Sequence, residues 1–405
     1  MIGNIPDGWR IEKLEEMCKT GSGGTPSRTN RDFYDGHIPW IKSGELNKTF
    51  IYQTQEHISQ EALDKSSAKL VEPETVLLAM YGATVGVTAI TKIQAATNQA
   101  VCSITPLTSQ LENKFLFWFL SSSKKSLVSK SVGGGQPNIS QAIIKKILIP
   151  LPPLPQQERI VKVLDISSTL IEKQKELIQK YNQFLKSKFL EMFGDPIQNP
   201  MGWEMKKLKE ISSLISSGNT PKGGSQVYVK EGILFFRSQN VWKNKMLLDD
   251  IAYIDNETHL KMKKSSLKHK DILMTKTGRF NTENSSLGRA ALFLGEDDSA
   301  NVNGHVYLIR LKKQTIPEFV VYILTTDEYR DYIRRVCVGG IDKRQINKSH
   351  LENFPIVFPP IELQNKFASI VERINTIKTK ETQKLEHLEI LHKSLVDKAF
   401  KGEIQ

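Results

Sequence analysis

Short apolar runs separated by turn residues make up most of the chain, and two long amphipathic stretches interrupt them. Runs such as TVLLAMYG (75–82), AVCSITP (100–106), ILFFRS (233–238) and HVYLIRL (305–311) have the length and β-branched content of strands, with Gly, Asn, Pro and Ser between them. NKFLFWFLSSSKKSL from Asn113 and PEFVVYILTTDEYRDYI from Pro317 have helical apolar spacing, and each predicts one helix. The pattern therefore predicts domains of mixed α and β structure.

The two amphipathic stretches predict long helices of about 55 to 60 Å each. In the first, from Gln156 to Phe193, apolar doublets recur every seven positions, with Tyr181 and Phe189 on the same face. In the second, from Leu363 to Phe400, apolar residues fit a narrower seam that Lys378, Glu381 and His392 interrupt. We expect the helices to pack on each other, which leaves part of the broader first stripe for another partner. The predicted helix–helix packing residues are Leu164, Ile171, Ile178, Leu185, Phe367, Val371, Ile374, Leu385, Leu388 and Leu395.

The chain repeats itself after about 200 residues. Trp9 matches Trp203, IPWIKSGEL from Ile38 matches ILFFRSQNV from Ile233, and NQAVCSI from Asn98 matches NGHVYLI from Asn303. The series closes with IPLPPLPQQERI from Ile149 and IVFPPIELQNKF from Ile356. The order is kept and the offset grows from 194 to 207 residues, as small insertions in a duplicated domain would produce. Each copy is long enough to be a complete domain.

Composition indicates a globular protein with a polyanionic partner. The chain has 405 residues, 39% hydrophobic residues and a formal net charge of +12 with pI about 9.3. The charge is +7 in residues 200–357 and +3 in residues 1–153. We expect a cytoplasmic protein, because no signal segment or membrane-spanning apolar run is present and the three cysteines are widely separated.

Catalytic and metal-binding motifs are missing from the sequence. GSGGTPS from Gly21 and VGGGQPN from Val132 are rich in glycine but lack the Lys-Ser or Lys-Thr of a phosphate loop. GDPI and QNPM lack the second proline and the aromatic residue of an amino-methyltransferase tetrapeptide, and the eight histidines have no ligand spacing. We therefore expect no catalytic, cofactor-binding or metal-binding residue in this chain.

Donor-rich loops occur at corresponding places in both copies. Arg and Lys suit phosphates and guanine edges, while Asn and Gln can bind an adenine edge. Residues that match between the copies, such as Lys42 and Arg237, suit generic phosphate contacts, and loops that differ can read different bases. The candidate DNA-binding residues are Arg28, Asn30, Arg31, Lys42, Ser43, Tyr81, Thr84, Gln136 and Asn138 in the first copy, and Lys222, Gln226, Arg237, Gln239, Asn240, Lys276, Thr277, Arg279, Asn281, Lys343, Arg344 and Gln345 in the second.

These motifs in this order resemble the specificity subunit of type I restriction-modification enzymes. The resemblance rests on the Trp-containing start, GGTPS, IPWIKSGEL, GATVG, NQA, QPNIS and IPLPPLPQQERI, which return in weaker form in the second half. It implies two target recognition domains, each reading one half of a split, asymmetric DNA sequence, separated by two long antiparallel helices. It also implies that the helices dock modification methyltransferase subunits, that restriction subunits can join, and that S-adenosylmethionine, ATP and magnesium belong to these partners.

The expected fold is α+β: two similar mixed α/β target recognition domains and a coiled-coil-like spacer of two helices. The predicted bounds are 1–153 for the first domain, 154–194 for the first helix, 195–357 for the second domain and 358–405 for the second helix. The expected function is non-catalytic DNA recognition that directs adenine methylation and restriction by partner subunits. The alternatives are a diverged DNA methyltransferase or nuclease, and a protein-only coiled-coil scaffold.

Overall fold

The computed structural model describes residues 6–129, 131, 137–279, 284–340 and 342–404. It divides the chain into two compact units. The first unit contains the residues up to Glu176 and those from Thr382 onward, and the second contains Leu177–Glu381. Each long helix therefore contributes one part to each unit.

The first unit is built from eleven described strands and six helices, the last of which continues into the second unit. The strands are β1 (Arg10–Lys13), β2 (Cys18–Ser22), β3 (Ile38–Ile41), β4 (Phe50–Ile51), β5 (Glu56–Ile58), β6 (Leu70–Val71), β7 (Val76–Ala79), β8 (Thr88–Thr91), β9 (Ala95–Thr97), β10 (Val101–Pro106) and β11 (Leu148–Leu151). The helices are α1 (Leu14–Met17), α2 (Gln60–Asp64), α3 (Asn113–Ser122), α4 (Lys124–Ser129), α5 (Gln141–Lys145) and α6 (Leu154–Phe193).

Two sheets and a short strand pair form the first unit. The five-stranded sheet has the order β2-β10-β7-β8-β4, the four-stranded sheet has the order β5-β3-β9-β6, and β1 pairs with β11. All four residues of β7 are buried, because both faces of this strand are covered: Val76 and Leu78 contribute to one apolar cluster, Leu77 and Ala79 to another. The cluster that contains Leu77 and Ala79 also contains Ile41 and Ala95, and it therefore joins the two sheets.

The second unit repeats this plan. Its strands are β12 (Met205–Lys207), β13 (Ser212–Ser217), β14 (Ile233–Phe236), β15 (Ala252–Ile254), β16 (Ile272–Thr275), β17 (Thr277–Gly278), β18 (Ala290–Leu292), β19 (Ala300–Val302), β20 (Val306–Leu311), β21 (Val338–Gly339), β22 (Arg344–Gln345) and β23 (Pro355–Val357). Its helices are α7 (Leu208–Ile211), α8 (Asn256–Lys261), α9 (Pro317–Leu324), α10 (Asp327–Val336), α11 (Lys348–Glu352) and α12 (Ile361–Ala399), which continues into the first unit.

The sheets of the second unit correspond to those of the first. The order β13-β20-β16-β18 matches β2-β10-β7-β8, the order β15-β14-β19 matches β5-β3-β9, and the pair β12-β23 matches β1-β11. A further small sheet, β17-β22-β21, joins the end of the β16 segment to the loop before α11. The duplication read from the sequence is thus a duplication of strand order as well.

Where one helix was predicted near Asn113 and another near Pro317, the structure has two short helices in each place. α3 ends at Ser122 before α4 begins at Lys124, and α9 ends at Leu324 before α10 begins at Asp327. In the second unit the hydroxyl of Thr326 accepts a hydrogen bond from the amide of Tyr329, 3.2 Å away, and caps the new helix. Apolar spacing continues across the break, so periodicity alone did not reveal it.

Segments of the two long helices pack together inside each unit. In the first unit Ser167 of α6 contacts His392 of α12, with 2.7 Å between Oγ and Nδ1, and Lys175 forms an ion pair with Glu389 at 2.9 Å. Residue numbers rise along α6 as they fall along α12 in these contacts, so the segments are antiparallel.

In the second unit the packing of the long helices is aromatic. The ring centroids of Phe189 and Phe193 of α6 lie 5.4 and 5.6 Å from that of Phe367 of α12. Phe319 of α9 completes the cluster, with its ring centroid 4.9 Å from that of Phe193. Phe189, Phe193, Phe319 and Phe367 are all fully buried, so this cluster anchors the end of α6 to the domain that follows it.

The apolar doublets of α6 split between core and solvent. The second member of each doublet turns inward: Leu164 and Leu185 are buried, and Ile171 and Ile178 are partly buried. The first members Leu170, Leu177 and Phe184 are between 36% and 49% exposed. An apolar row that the chain itself does not cover therefore follows α6, as the breadth of the stripe predicted.

A buried Gln follows the Pro-Pro pair in both IPLPPLPQQERI and IVFPPIELQNKF and makes the same contacts in each unit. Gln157 is fully buried; its Nε2 donates to the carbonyl of Pro152 at 2.9 Å and its Oε1 accepts from the amide of Glu112 at 2.9 Å. Gln364 is also fully buried, and it binds Pro359 and Ile316 in the same way, at 2.8 and 3.2 Å. In each unit one amide side chain thus joins the start of the long helix to the start of α3 or α9.

Within the described part of the chain, no helix is long and apolar enough to cross a membrane.

Candidate nucleic-acid interface

Several strand ends meet at one edge of the first unit. The amide of Asn98, in the turn between β9 and β10, donates to the carbonyl of Ile41 at the end of β3, 3.0 Å away. The amide of Met80, just past β7, donates to the carbonyl of Ala100 at 2.8 Å, and Ile139 donates to Met80 at 2.9 Å. The loops that follow β3 and β7, the β9–β10 turn and the segment before α5 are therefore neighbours.

The second unit has the same hydrogen bonds at the matching positions. Asn303 donates to Phe236 at 2.9 Å, and Lys276 donates to His305 at 3.0 Å. The amide of Ile346 donates to the carbonyl of Lys276 at 2.9 Å, as Ile139 does to Met80. We call these two sets of loops the strand-end loops: residues 22–30, 42–46, 81–84, 98–100 and 137–138 in the first unit, and 217–226, 237–241, 277–279, 303–305 and 343–345 in the second.

Four of the candidate residues form equivalent bridges. Tyr81 and Asn138 make an isolated antiparallel bridge in the first unit, and Thr277 and Gln345 pair between β17 and β22 in the second. Tyr81, Asn138 and Gln345 are exposed. Thr84 supports the first bridge, because its hydroxyl donates to the carbonyl of Tyr81 at 3.2 Å. Residues more than 50 positions apart in sequence are thus brought side by side in both units.

A shared carboxylate holds two candidate cations in the first unit. Glu56 accepts from Lys42 Nζ at 2.5 Å and lies 2.7 Å from Arg28 Nη2. The hydrogen bond from Lys42, reinforced by Arg28, lowers the pKa of Glu56. The guanidinium of Arg28 lies 4.1 Å from the ring centroid of Tyr34, a cation–π distance. Both cations are therefore pre-positioned, with part of their charge already neutralised.

The second unit repeats this arrangement with different residues. Arg237, which matches Lys42, forms an ion pair with Asp250 at 3.0 Å, and Gln239 Nε2 donates to the same carboxylate at 2.8 Å. Gln239, by its hydrogen bond, and Arg237 lower the pKa of Asp250. Asn240 is only 1% exposed; it accepts from the amide of Arg237 at 2.9 Å and donates to the carbonyl of Leu247 at 3.0 Å. The side chain of Asn240 thus holds the loop together and offers no donor to solvent.

Lys276 is the most enclosed of the candidate cations. It is 9% exposed, its ammonium donates to Ser217 Oγ and to the carbonyl of Gly304 at 2.6 Å, and it lies 4.4 Å from the ring centroid of Tyr307. Burial lowers its pKa. No carboxylate of a described residue lies within ion-pair distance of it.

The remaining candidates are mostly surface residues of these loops. Asn30 caps a short 3₁₀ helix, since its Oδ1 accepts from the amide of Asp32 at 3.2 Å. Arg344 Nη1 donates to the carbonyl of Cys337 at 3.3 Å. Gln136 and Asn281 lie outside the described residues. Exposed or partly exposed on the loops are Ser43, Lys222, Gln226, Arg279 and Lys343. Arg31 is exposed in the 3₁₀ helix that Asn30 caps, directly after the first of these loops.

Sequence reasoning missed the acidic partners Glu56 and Asp250. The predicted residues were donors to DNA, whereas Glu56 is the first residue of β5 and Asp250 lies shortly before β15, 14 and 13 residues beyond Lys42 and Arg237. The positions of the two carboxylates do not match in the repeat, so the comparison of the two copies gave no signal for them. No group of three or more His, Cys, Asp or Glu residues in the described ranges is arranged to hold a metal ion.

The fold and the loops define a class of protein: two similar mixed α/β domains on long helices, each presenting a basic and amide-rich edge. The chain belongs to the family described as the type I restriction modification DNA specificity domain, whose model matches residues 6–182 and again residues 200–389. The prediction of a type I specificity subunit made from the sequence is confirmed by this match.

Relatives of the same family cover nearly the whole chain. The type I restriction enzyme MjaIX specificity subunit of Methanocaldococcus jannaschii is 26% identical over 430 aligned residues, with 100% of this chain and 95% of the relative covered. The StySPI specificity subunit of Salmonella potsdam is 23% identical, with 99% of this chain and 90% of the relative covered.

Solved structures support the fold. The S subunit of a type I restriction-modification system from M. genitalium superimposes with a TM-score of 0.59 at 14% identity, covering 98% of this chain and 96% of that one. A chain from a structural study of complex assembly and conformational transition in the type I system gives the same TM-score at 19% identity, covering 99% of both. The predicted α+β architecture with two long helices is confirmed.

Proposed function

We propose that this chain reads a bipartite, asymmetric DNA target, one half with the strand-end loops of each unit. The observation that carries the proposal is that the two loop sets share their backbone hydrogen bonds and differ in their side chains. Equivalent backbones put both edges in the same geometry, while the loop RTNRDFYDGH in one unit and KGGSQVYVKEG in the other present different groups. Different side chains on the same frame suit the recognition of different base sequences.

We further propose that the chain supplies specificity to adenine methyltransferase subunits, two per chain, and that restriction subunits can join the complex. The exposed apolar residues of the long helices support a protein partner. They include Ile166 and Leu170 in the first unit and Leu177, Phe184 and Ile377 in the second. S-adenosylmethionine would then bind to the methyltransferases, and ATP and magnesium to the restriction subunits.

Binding measurements on the isolated chain test the proposal against its alternatives. A DNA reader loses affinity for duplex DNA steeply as the salt concentration rises, because bound phosphates release counterions. A protein-only scaffold shows no salt-dependent affinity for DNA. A diverged methyltransferase binds S-adenosylmethionine without any partner, and tight binding by this chain alone would refute the proposal. Sequencing that maps methylated adenines in a host with and without the chain then identifies the target.

A further inference from the structure

The second unit has a stacked arginine beside its strand-end loops that was not among the residues predicted from the sequence. Arg289 lies directly before β18, and its guanidinium carbon is 3.8 Å from the ring centroid of Trp242. Its Nε donates to the carbonyl of Ser285 at 3.0 Å and its Nη2 donates to that of Asn284 at 2.5 Å. Stacking and two hydrogen bonds thus fix the guanidinium in one orientation, and Nη1 donates to no described residue.

A second arginine, Arg330, lies near Arg289. No carboxylate of a described residue lies within ion-pair distance of it, and its pKa is lowered by burial and by the nearby charge of Arg330. Asp327 begins the helix that carries Arg330, but its carboxylate is bound by Lys186 at 3.0 Å and also feels the charges of Lys243 and Arg330. We call Arg289, together with the ring of Trp242 on which it stacks, the Arg289 cluster.

The Arg289 cluster adjoins the strand-end loops. Ser285, whose carbonyl accepts from Arg289, donates through its hydroxyl to the carbonyl of Arg279 at 2.5 Å. Arg279 directly follows β17, which pairs with Gln345 through Thr277. Ser285 therefore links Arg289 to the strand-end loop that contains Arg279.

The hairpin that carries Trp242 is also fixed in place. The amide of Asn244 donates to the carbonyl of Ala290 at 2.9 Å, and Asn244 Nδ2 donates to Thr325 Oγ1 at 2.6 Å. The aromatic platform and the cation on it are thus held by β18 and by the end of α9. A guanidinium that is held rigidly loses little further freedom when it binds an anion.

The first unit lacks this feature. At the matching repeat positions it has Val87 in place of Arg289 and Asn47 in place of Trp242. A rigid, partly buried guanidinium that pairs with no carboxylate of a described residue suits a phosphate oxygen as a partner. Its Nε and Nη2 already donate to backbone carbonyls, which leaves Nη1 to contact a phosphate oxygen.

We propose that the Arg289 cluster binds the phosphate backbone of duplex DNA and makes the second unit the stronger electrostatic anchor of the two. The proposal rests on the DNA-reading function proposed above. Arg289 positions the backbone and reads no bases, so its contribution is the same for every DNA sequence. The larger positive charge of residues 200–357 agrees with this division.

The test uses the full chain and a labelled duplex of mixed sequence, about 30 base pairs long, with affinities measured from about 50 to 200 mM salt. In Arg289→Gln the affinity falls, and the slope of log affinity against log salt becomes shallower by about one. Arg289→Lys keeps the charge and keeps most of the slope. Lys209→Gln, an equal charge change at an exposed position on α7, leaves the slope near that of the unaltered chain.

Other outcomes separate the alternatives. If Arg289→Gln and Arg289→Lys both lower the melting temperature and the affinity while the slope stays that of the unaltered chain, Arg289 only stabilises the loop and the inference is wrong. The inference is also wrong if Lys209→Gln flattens the slope as much as Arg289→Gln. If the DNA affinity of the unaltered chain does not depend on salt, the proposed DNA-reading function itself is wrong.

Discussion

At the residue scale, the cations of the two loop sets differ in how far their charge is already neutralised. In the first unit Glu56 binds both Arg28 and Lys42. In the second unit Asp250 binds Arg237, while Arg289 stacks on Trp242. If these edges bind DNA phosphates as proposed, the carboxylates lower the affinity for any DNA and keep the cations in place. Specificity can then come from the side chains around them and not from charge alone.

Replacing Glu56 tests this role. In Glu56→Gln the cations Arg28 and Lys42 lose their charged partner, so we expect tighter binding to DNA of mixed sequence and a salt slope steeper by up to about one. Fluorescence anisotropy across a salt series measures both. Glu16→Gln is the matched control, because Glu16 on α1 lies outside the strand-end loops and has the same charge. Equal behaviour of the two variants would show that Glu56 does not restrain these cations.

His392 is a polar exception in the packing of the long helices. Its Nδ1 lies 2.7 Å from Ser167 Oγ, and its ring meets Trp118 edge to face at 5.4 Å between centroids. Trp118 also donates to Asp165 at 2.9 Å, and Lys114 pairs with that carboxylate at 2.6 Å. Burial lowers the pKa of His392 below its usual value of 6.5. The corresponding position in the second unit is Leu185, so only the first unit buries a titratable group there.

The stability of the first unit should therefore depend on pH. Because the folded state has the lower pKa, the unfolded state takes up the proton first, and stability is fully present above about pH 6.5 and lost as the pH falls below it. His392→Leu should remove this component, while His387→Gln, at an exposed position on the same helix, should retain it. Thermal unfolding at about pH 7.5 and 5.5 gives the comparison. A drop between the two pH values that is as large in His392→Leu as in the unaltered chain would argue against His392 as its source.

At the element scale, both long helices begin with a buried Gln that makes the same hydrogen bonds. Gln157 and Gln364 each satisfy a carbonyl of the Pro-Pro segment and an amide at the start of α3 or α9. Proline cannot donate a backbone hydrogen bond, so the helix start depends on a side chain to join it to the domain.

Removing either amide should destabilise the unit that contains it. Gln157→Leu and Gln364→Leu leave buried backbone groups without partners, and we expect each to lower the free energy of unfolding by about 1 to 3 kcal/mol. Gln157→Leu should cost more, since Gln157 also donates to the carbonyl of Gln110 at 2.7 Å. Gln183→Leu, at an exposed position of α6, serves as the control in chemical denaturation. If both buried-site variants are as stable as the control within error, these glutamines do not stabilise the helix starts.

The repeat in the sequence predicted much of this structure because it carries the strand order and the backbone contacts. Met80 matches Lys276 and Ile139 matches Ile346 in the repeat. In the structure, the amide of Ile139 donates to the carbonyl of Met80 just as the amide of Ile346 donates to that of Lys276. The doublet spacing of α6 predicted an apolar face broader than one partner helix covers, and Phe184 is indeed exposed. Patterns of this kind involve residues that are close in sequence, so they can be read from a single sequence.

What the sequence did not reveal depends on tertiary neighbours. Asn240 was a candidate for base contact because its residue type suits adenine, yet the turn it occupies buries it. The stacking of Arg289 on Trp242 joins residues 47 positions apart that have no counterpart in the first copy. The break between α9 and α10 depends on the cap by Thr326, which apolar periodicity does not register.

At the scale of the whole molecule, two units with one backbone plan can diverge independently at their loops. If each reads one half of the target, Gln226→Ala or Arg279→Ala should relax only one half of the recognised sequence, while Arg237→Ala weakens binding more broadly. A well-formed base contact contributes about 1 to 3 kcal/mol of discrimination. Sequencing of methylated sites from cells that carry each variant gives the result. Loop changes between residues 222 and 345 that alter both halves equally would contradict the two-reader model.

The long helices are the two covalent connections between the units, since α6 runs from the first into the second and α12 runs back. If they set the distance between the reading loops, inserting four residues after Lys180 should lengthen α6 by about 6 Å and turn it about 40° beyond a full circle. That displacement corresponds to about one to two base pairs of duplex. A companion variant adds four residues to α12 after Lys380, so that both connections lengthen together.

The half-sequences should stay the same in these variants because the loops are untouched, while the unread spacer between them grows. A two-residue insertion rotates the apolar stripe by about 200° and turns Leu185 away from its packing, so it should abolish assembly. Mapping methylated adenines decides between the outcomes. An active complex with lengthened helices and an unchanged spacer would mean that the helices carry the partner subunits but do not measure the DNA.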